Sequence, residues 1–397
     1  MPHSQPLPIG PPHPRGNGDD VLRVRTAQDL LAWIPYAIGF HPTDSLVVVC
    51  VGDAQPPAAG PMLRVDLPAH AECVDSGPTG THIGIAGEVL WRLGHLAPGA
   101  VFLACYSDQD WEHSLLVKAM LEGLDAQGIS VLGVGQVGSG HWRMLFCEEE
   151  CCSSPGRPVS ELAGSTASAA MVLAGRSVRP SRQSITADLD GDPEHRHRVA
   201  ERIAALAARP VRTPAPDRDT SGSAPAGARA RGPMPAGTWA MHIWRDLVRT
   251  EAPHAPAEVN DDQAAWVALA VRDVSVRDAL LVEIVTGGAL AEVVDAVVAD
   301  ENLCLDFAES VFDPVNRPTA AAHRAAGLLR QVARVCDPAA EPNVWALLAA
   351  VHWWLGDGAQ CRDIAQRLLA ASPQHSLGDL LLEVCDRGLA PAWAGAW

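Results

Sequence analysis

The sequence predicts an α/β N-terminal domain, a mixed sheet with covering helices, followed by an all-α, tetratricopeptide-like C-terminal helical domain. Three observations carry this. Short apolar, β-branched runs alternate with helix-spaced apolar residues from Arg25 to about Gly175. The stretch Pro210 to Gly237 is crowded with Pro, Gly, Ala, Ser and Arg and cannot supply a core. Beyond it, only the helical spacing of apolar residues persists. The expected organisation is a disordered Pro-rich tail at 1–20, the α/β domain with trailing helices at 21–209, a flexible linker at 210–237 and the helical domain at 238–397.

Within the first half, Thr26 caps a helix through Leu30, Leu31 and Trp33 that Pro35 and then Gly39 end. Leu46 to Val51 is a continuous β-branched run suited to a strand buried on both faces. Met62 to Leu67 reads as a second strand, stopped by Pro68. A helix over Ile83 to Leu96, a strand over Val101 to Tyr106, a helix over Trp111 to Leu124 and a strand over Ile129 to Val134 continue the alternation. Trp142 to Cys147 adds a strand paired through the turn Gly138-Ser139-Gly140. Two helices, Glu161 to Ala174 and His197 to Ala208, lead out.

In the second half, Cys361, Ile364, Ala365, Leu368 and Leu369 fall on one helical face, and Leu377, Leu380, Leu381, Val384 and Cys385 repeat the spacing. Ser376 with Asp379 has the form of a capping box, and Gly388 ends that helix. Asp337-Pro338 recurs as Ser372-Pro373, and the stretch from Trp354 to Pro373 resembles one tetratricopeptide-type unit; an ordinary helical bundle is the competing reading. Trp345, Trp353 and Trp354 read as core, while Pro391 to Trp397 offers terminal aromatics to a partner.

Composition narrows the function classes. Acidic side chains number 47 against 30 basic, a net charge of -17 that repels phosphate backbones, so no nucleic-acid partner is expected. No apolar run is long enough for a membrane span. Lys118 is the only lysine and lies in an apolar helical stretch, which excludes a phosphate loop of the G-x-x-x-x-G-K-[ST] kind and leaves no support for kinase or Schiff-base chemistry. The 10 cysteines are scattered, mostly in apolar runs, as buried free thiols of a cytoplasmic protein would be.

One segment is distinctive. Pro35-Tyr36-Ala37-Ile38-Gly39-Phe40-His41-Pro42-Thr43-Asp44-Ser45 through Val49 resembles the opening signature of the domain of unknown function 4192 family of high-GC bacteria. Arg64-Val65-Asp66-Leu67-Pro68, Tyr106-Ser107-Asp108, Cys151-Cys152, Gly175-Arg176, Pro180-Ser181-Arg182 and Trp354-Leu355-Gly356-Asp357-Gly358 follow in the order that family shows. The resemblance implies membership over nearly the whole chain outside the tail and linker. It brings no activity or cofactor with it, and the spacing Cys147-x-x-x-Cys151 departs from the family's pattern, so it implies no metal geometry either.

Four constellations bear on chemistry. Gly133 to Gly138 is a literal G-x-G-x-x-G after a strand, but the residues that follow read as a turn and another strand, so the helix N-terminus that would hold a pyrophosphate is missing. His141, Cys147, Cys151 and Cys152 would satisfy tetrahedral zinc by donor type, yet the side chains of adjacent cysteines diverge and the usual spacing is absent; ordinary thiols, a redox pair and a metal site remain open. Glu148, Glu149 and Glu150 beside them disfavour a thiolate nucleophile. Ligands in open α/β sheets sit at the carboxyl ends of strands, which selects Asp53, Asp66, Ser107, Asp108 and Asp110 as a cation or ligand site, with solvated turn residues as the alternative. By the same rule His41 to Ser45, preceding its strand, is a structural turn. Asp188 to Asp192 looks calcium-like but lacks the closing Glu and reads as an acidic turn, and Arg176, Arg179 and Arg182 form a small basic patch.

The expectation is a non-catalytic ligand-binding or protein-interaction protein of the cytoplasm, with a protein partner or small ligand, no membrane and a cofactor the sequence does not identify. The alternative is a metal-assisted hydrolase using Asp66 and Asp108 at the sheet edge.

Overall fold

The computed structural model describes residues 7–9, 22–24, 26–52, 59–67, 79–147, 152, 155–173, 177–208, 236–249, 258–299 and 316–395. The chain forms two compact units, one of Met1–Ile185 with Arg387–Trp397 and one of Thr186–Asp386. Among the described residues no helix is long and apolar enough to cross a membrane.

In the first unit, strands β1 (Leu7–Ile9) and β2 (Leu22–Val24) pair antiparallel, so the expected disordered tail contributes a strand. Helix α1 (Ala27–Ile38) starts where the Thr26 side chain accepts from the Asp29 amide at 3.1 Å. Pro35 does not end it. The helix runs on to Gly39, whose φ of 87° ends it in the left-handed region that glycine enters without strain. A six-stranded sheet follows, in the order β4 (Ala59–Asp66), β3 (Ser45–Val51), β5 (Ala100–Tyr106), β6 (Ser130–Val137), β7 (His141–Leu145) and β8 (Arg157–Pro158). Only β5 and β6 run parallel, joined by helix α3 (Leu115–Ala126); every other neighbouring pair is antiparallel.

Both faces of the sheet are covered, which is why every residue of β3 is buried. On one face Leu46, Val48, Leu103, Cys105 and Val134 pack against α2 (Thr79–Leu96) and α3 through Val89, Leu93, Leu116 and Met120. On the other, Val47, Val49, Phe102, Ala104 and Trp142 pack against α1 and against the short helices α4 (Ser160–Ala163) and α5 (Thr166–Leu173). The buried Tyr106 hydroxyl donates to the Leu31 carbonyl at 2.9 Å and pins α1 to the sheet. The G-x-G of β6 is a packing device, because a Cβ at Gly135 would come 2.9 Å from Leu31 and one at Gly133 would come 2.8 Å from Met144. Pro61 sits in β4, an outer strand of the sheet, where a missing amide costs no ladder bond.

The second unit is helical. Helix α6 (Pro193–Ala207) belongs to it rather than trailing the sheet, since His195 Nε2 lies 2.7 Å from Asp261 and Arg202 lies 3.3 Å from Asp262, at the start of α8 (Asp261–Ala270). The expected linker lies outside the described residues except for Ala236 and Gly237, which open α7 (Ala236–Arg249). Helices α9 (Val274–Val285), α10 (Ala291–Ala299), α11 (Ala320–Val335), α12 (Pro342–Trp354), α13 (Gly358–Ala371) and α14 (Ser376–Asp386) complete it. Helix α12 is buried along nearly its whole length, and Trp345 donates its indole N–H to the Cys336 carbonyl at 3.1 Å, so this tryptophan is core. The expected Ser376 cap is replaced by His375, whose Nδ1 accepts from the Gly378 amide at 3.2 Å, making Ser376 the first helical residue.

Candidate functional site

The register of the sheet decides which residues share an edge. Ser45 pairs with Asp66 on one side and with Tyr106 on the other, and β6 ends at Val137 opposite Tyr106. Because β3 is antiparallel to both neighbours, its amino end lies with the carboxyl ends of β4, β5 and β6. The segment His41 to Ser45, assigned by the carboxyl-end rule to the far side, therefore stands beside Asp66 and Ser107. That rule assumes parallel strands, and the short connection between Val51 and Ala59 does not allow a parallel crossover. Asp53 lies outside the described residues.

Asp44 is the centre of this edge. It holds φ at 41°, a left-handed conformation that Asp tolerates better than most residues. Its carbonyl accepts from the Leu67 amide at 2.7 Å, and its carboxylate accepts from the buried Ser107 hydroxyl at 3.0 Å. Ser107 in turn donates its amide to the Val137 carbonyl at 2.9 Å, while its hydroxyl accepts from the Gln109 amide at 3.3 Å. The buried Gln136 donates to the carbonyls of Ser107, at 3.3 Å, and Gln109, at 2.5 Å.

The selected carboxylates are spoken for one by one. Asp108 accepts from the Ser139 amide at 2.6 Å and lies where a Cβ on Gly138 would come 2.8 Å from its oxygen, so it shapes the β6–β7 turn. Asp110 accepts from the Glu112 amide at 3.0 Å and from Arg143 at 2.8 Å. Asp66 is paired with Arg64, whose guanidinium also covers the Phe40 ring at 5.3 Å, and it lies 3.8 Å from Arg182. With β3 between them, Asp66 and Ser107 are separated by roughly 10 Å, two strand spacings. Asp66, Asp108 and Asp110 are all exposed, as turn residues are.

The described members of the zinc-like set are not brought together. His141 opens β7 and Cys147 lies beyond its far end, and about 13 Å of extended strand already separates His141 from Leu145, too far for two ligands of one ion. Cys152 is buried, and Cys151 lies outside the described residues. Among the described residues no three His, Cys, Asp or Glu side chains are grouped to hold a metal. Burial pushes the thiols of Cys50 and Cys105 up to about 12, which makes them inert packing groups. The calcium-like turn is spent on salt bridges and a cap: Asp188 pairs with Arg330, Asp190 lies 2.7 Å from Arg367, and Asp192 accepts from the Glu194 amide at 3.2 Å to cap α6.

A feature that sequence reasoning missed is the outer face of α2. Gly84, Gly87, Trp91 and His95 recur at i, i+3, i+7 and i+11, and all are exposed. Trp91 and, two turns earlier, Ile83 are each 56% exposed, and the space over Gly84 and Gly87 is open to 4 Å. His95 packs tilted against Trp91, 4.3 Å between ring centroids. The legible signal was Ile83 and Trp91 lying off the buried stripe of Ala86, Val89 and Leu93.

These observations define a two-part protein, a mixed α/β sheet unit whose edge carboxylates organise turns, with a helical unit beside it in sequence. The chain belongs to the family Domain of unknown function (DUF4192), whose model matches residues 28–392, nearly the whole chain. No curated protein and no solved structure matches it.

Proposed function

We propose that the chain is a non-catalytic protein-interaction protein of the cytoplasm that docks a partner protein on the outer face of α2. The observation that carries this reading is Trp91, more than half exposed in a well-packed unit, with Ile83 exposed two turns earlier on the same helix and two glycines between them leaving room for another backbone. Exposed tryptophans on clear ground are the usual anchors of interfaces, and covering one contributes about 2–3 kcal/mol. The partner that suits the face is a helix with an apolar stripe, crossing closely at Gly84 and Gly87, with the Glu88–Arg92 pair at its margin.

The helical unit supports the same reading. Helices α11 to α14 make two successive helix–turn–helix pairs, and the Ser372 hydroxyl reaches the Pro338 carbonyl at 3.4 Å, joining the two turns that carry Asp337-Pro338 and Ser372-Pro373. That spacing is the tetratricopeptide-like element of the proposal. The free thiols at Cys50, Cys105, Cys147, Cys152 and Cys336 support a reducing compartment.

The test compares the full chain with Trp91→Ala in capture from extract of the source cells, with matching circular dichroism as the control for folding. A protein retained by the wild type and lost by Trp91→Ala supports the docking face. Identical partner sets from both, or no specific protein from the wild type, would end the reading.

A metal-assisted hydrolase remains the second reading, favoured by the shared edge of Asp66, Ser107 and Asp108. It requires Asp66 and Asp108 to exchange their present partners for an ion. Unchanged metal binding and unchanged activity in a hydrolase screen after replacing both with Asn would remove it.

A further inference from the structure

Helices α13 and α14 form an antiparallel hairpin whose register is fixed at two levels. At one end Gly378 lets the helices close up, since a Cβ there would come 3.0 Å from Leu368 and 3.2 Å from Leu369. At the other end Arg362 pairs with Asp386. The same register sets Cys361, in the first turn of α13, opposite Cys385, in the last turn of α14. The Cys385 sulfur lies 3.7 Å from the Gly358 carbonyl, one turn before Cys361, and the two thiols are in hydrogen-bond contact. Cys361 has no exposed surface, while Cys385 is half-buried.

Two thiols held together, one enclosed and one reachable, are the arrangement of an attacking and a resolving cysteine. We propose that Cys361 and Cys385 are a reversible dithiol–disulfide site, oxidised by a low-molecular-weight disulfide that enters at Cys385. The Cys385 thiolate attacks one sulfur of the small disulfide, forming a mixed disulfide and expelling the first thiolate, which takes up the proton Cys385 gave. Cys361 then loses its proton and attacks the Cys385 sulfur, forming the internal bond and expelling the second small thiol. Two protein thiols are oxidised to one disulfide, and one small disulfide is reduced to two thiols. Contact with Cys385, and then burial, hold the Cys361 thiol protonated, so Cys361 waits for the mixed disulfide rather than reacting first. The product ties the last two helices of the second unit together covalently.

The test uses the full chain, fully reduced, then incubated with oxidised glutathione under native conditions. Free thiols are blocked before unfolding, and peptides are mapped without reductant. The expected result is a cross-linked peptide pair containing Cys361 and Cys385, two hydrogens lighter than the separate peptides and released by dithiothreitol. Cys50, Cys105 and Cys336 should be recovered as thiols, and the oxidised chain should melt higher than the reduced one. With Cys361→Ser, glutathione should remain attached at Cys385. A stable glutathione adduct on Cys385 in the wild type with Cys361 still a thiol, or recovery of both as thiols while other cysteines react, would overturn the proposal.

Discussion

The Ser107 hydroxyl donates to the Asp44 carboxylate at 3.0 Å, joining residues 63 positions apart where three strands meet. Asp44 holds the entry to β3 in a left-handed turn, and Ser107 holds the exit from β5. The bond is directional in its consequences. Asp44→Ala removes the acceptor from a buried hydroxyl and places Ala at positive φ, so it should destabilise by about 2 kcal/mol. Ser107→Ala leaves an exposed carboxylate that water can satisfy, and should cost about 1 kcal/mol. Urea unfolding of both single variants and the double one checks this; additive effects would show that the pair is not coupled.

Two glycines make opposite predictions. A Cβ on Gly191 would come 1.9 Å from the Arg334 carbonyl, backbone that cannot swing aside. Gly191→Ala should therefore destabilise the second unit by about 2 kcal/mol or more. Gly87 sits mid-helix in α2 with nothing within 4 Å of its would-be Cβ. Gly87→Ala should raise stability by about 0.5–1 kcal/mol through helix propensity. If the outer face of α2 docks a helix, the same substitution weakens partner capture while raising the melting temperature. Thermal melts beside capture experiments separate the two effects.

Much of the fold was legible because its signals are local. The β-branched run of β3, the Thr26 cap and the turn between β6 and β7 each depend on a few neighbouring residues. Strand direction is not local, yet it was deducible: the connection from Val51 to Ala59 is too short for a crossover, so β3 and β4 must be antiparallel and Asp44 must join the edge. What sequence could not supply was the pairing of charges. Nothing in the spacing says that Asp66 meets Arg182 or that Asp110 meets Arg143, and those partners make turn supports of residues that resembled a site. The His375 cap was hidden for a similar reason. Its role depends on Asn343, which is adjacent only after α12 and α14 pack.

Arg245 carries a part-buried ion cluster in the second unit, with Glu283 enclosed and Asp295 partly exposed. Its guanidinium binds Glu283 through two bonds of 2.7 and 3.0 Å and Asp295 through two of 2.9 and 3.0 Å. The side chains of Arg245 and Glu283 are 11% and 9% exposed, so removing the cation leaves a carboxylate in a poorly solvated place. Arg245→Ala should destabilise by about 3 kcal/mol. Arg245→Ala combined with Glu283→Gln should recover part of that loss, because the orphaned charge goes with it. Recovery is read by guanidinium denaturation, and a double variant no more stable than Arg245→Ala would argue against the charge as the cause.

His375 gives the second unit a pH dependence whose sign follows from its two bonds. Nδ1 accepts from the Gly378 amide at 3.2 Å, so the proton of the neutral ring sits on Nε2 and is donated to Asn343 at 3.0 Å. Protonation would put the ring's second hydrogen on Nδ1, facing an amide hydrogen, and remove the cap of α14. Burial and the nearby Arg277 oppose the cation, outweighing the nearby Asp379, and the pKa lies below its ordinary 6.5. A histidine depressed in the folded state binds its proton more readily when unfolded. Its stabilising contribution is therefore complete above 6.5 and is lost as pH falls from there through the folded pKa. Histidine-resolved proton NMR should place the His375 titration below 6.5, and stability measured across this range should fall more steeply for the wild type than for His375→Asn. Asn caps helices without titrating in this window, so equal slopes for the two proteins would assign the pH dependence elsewhere.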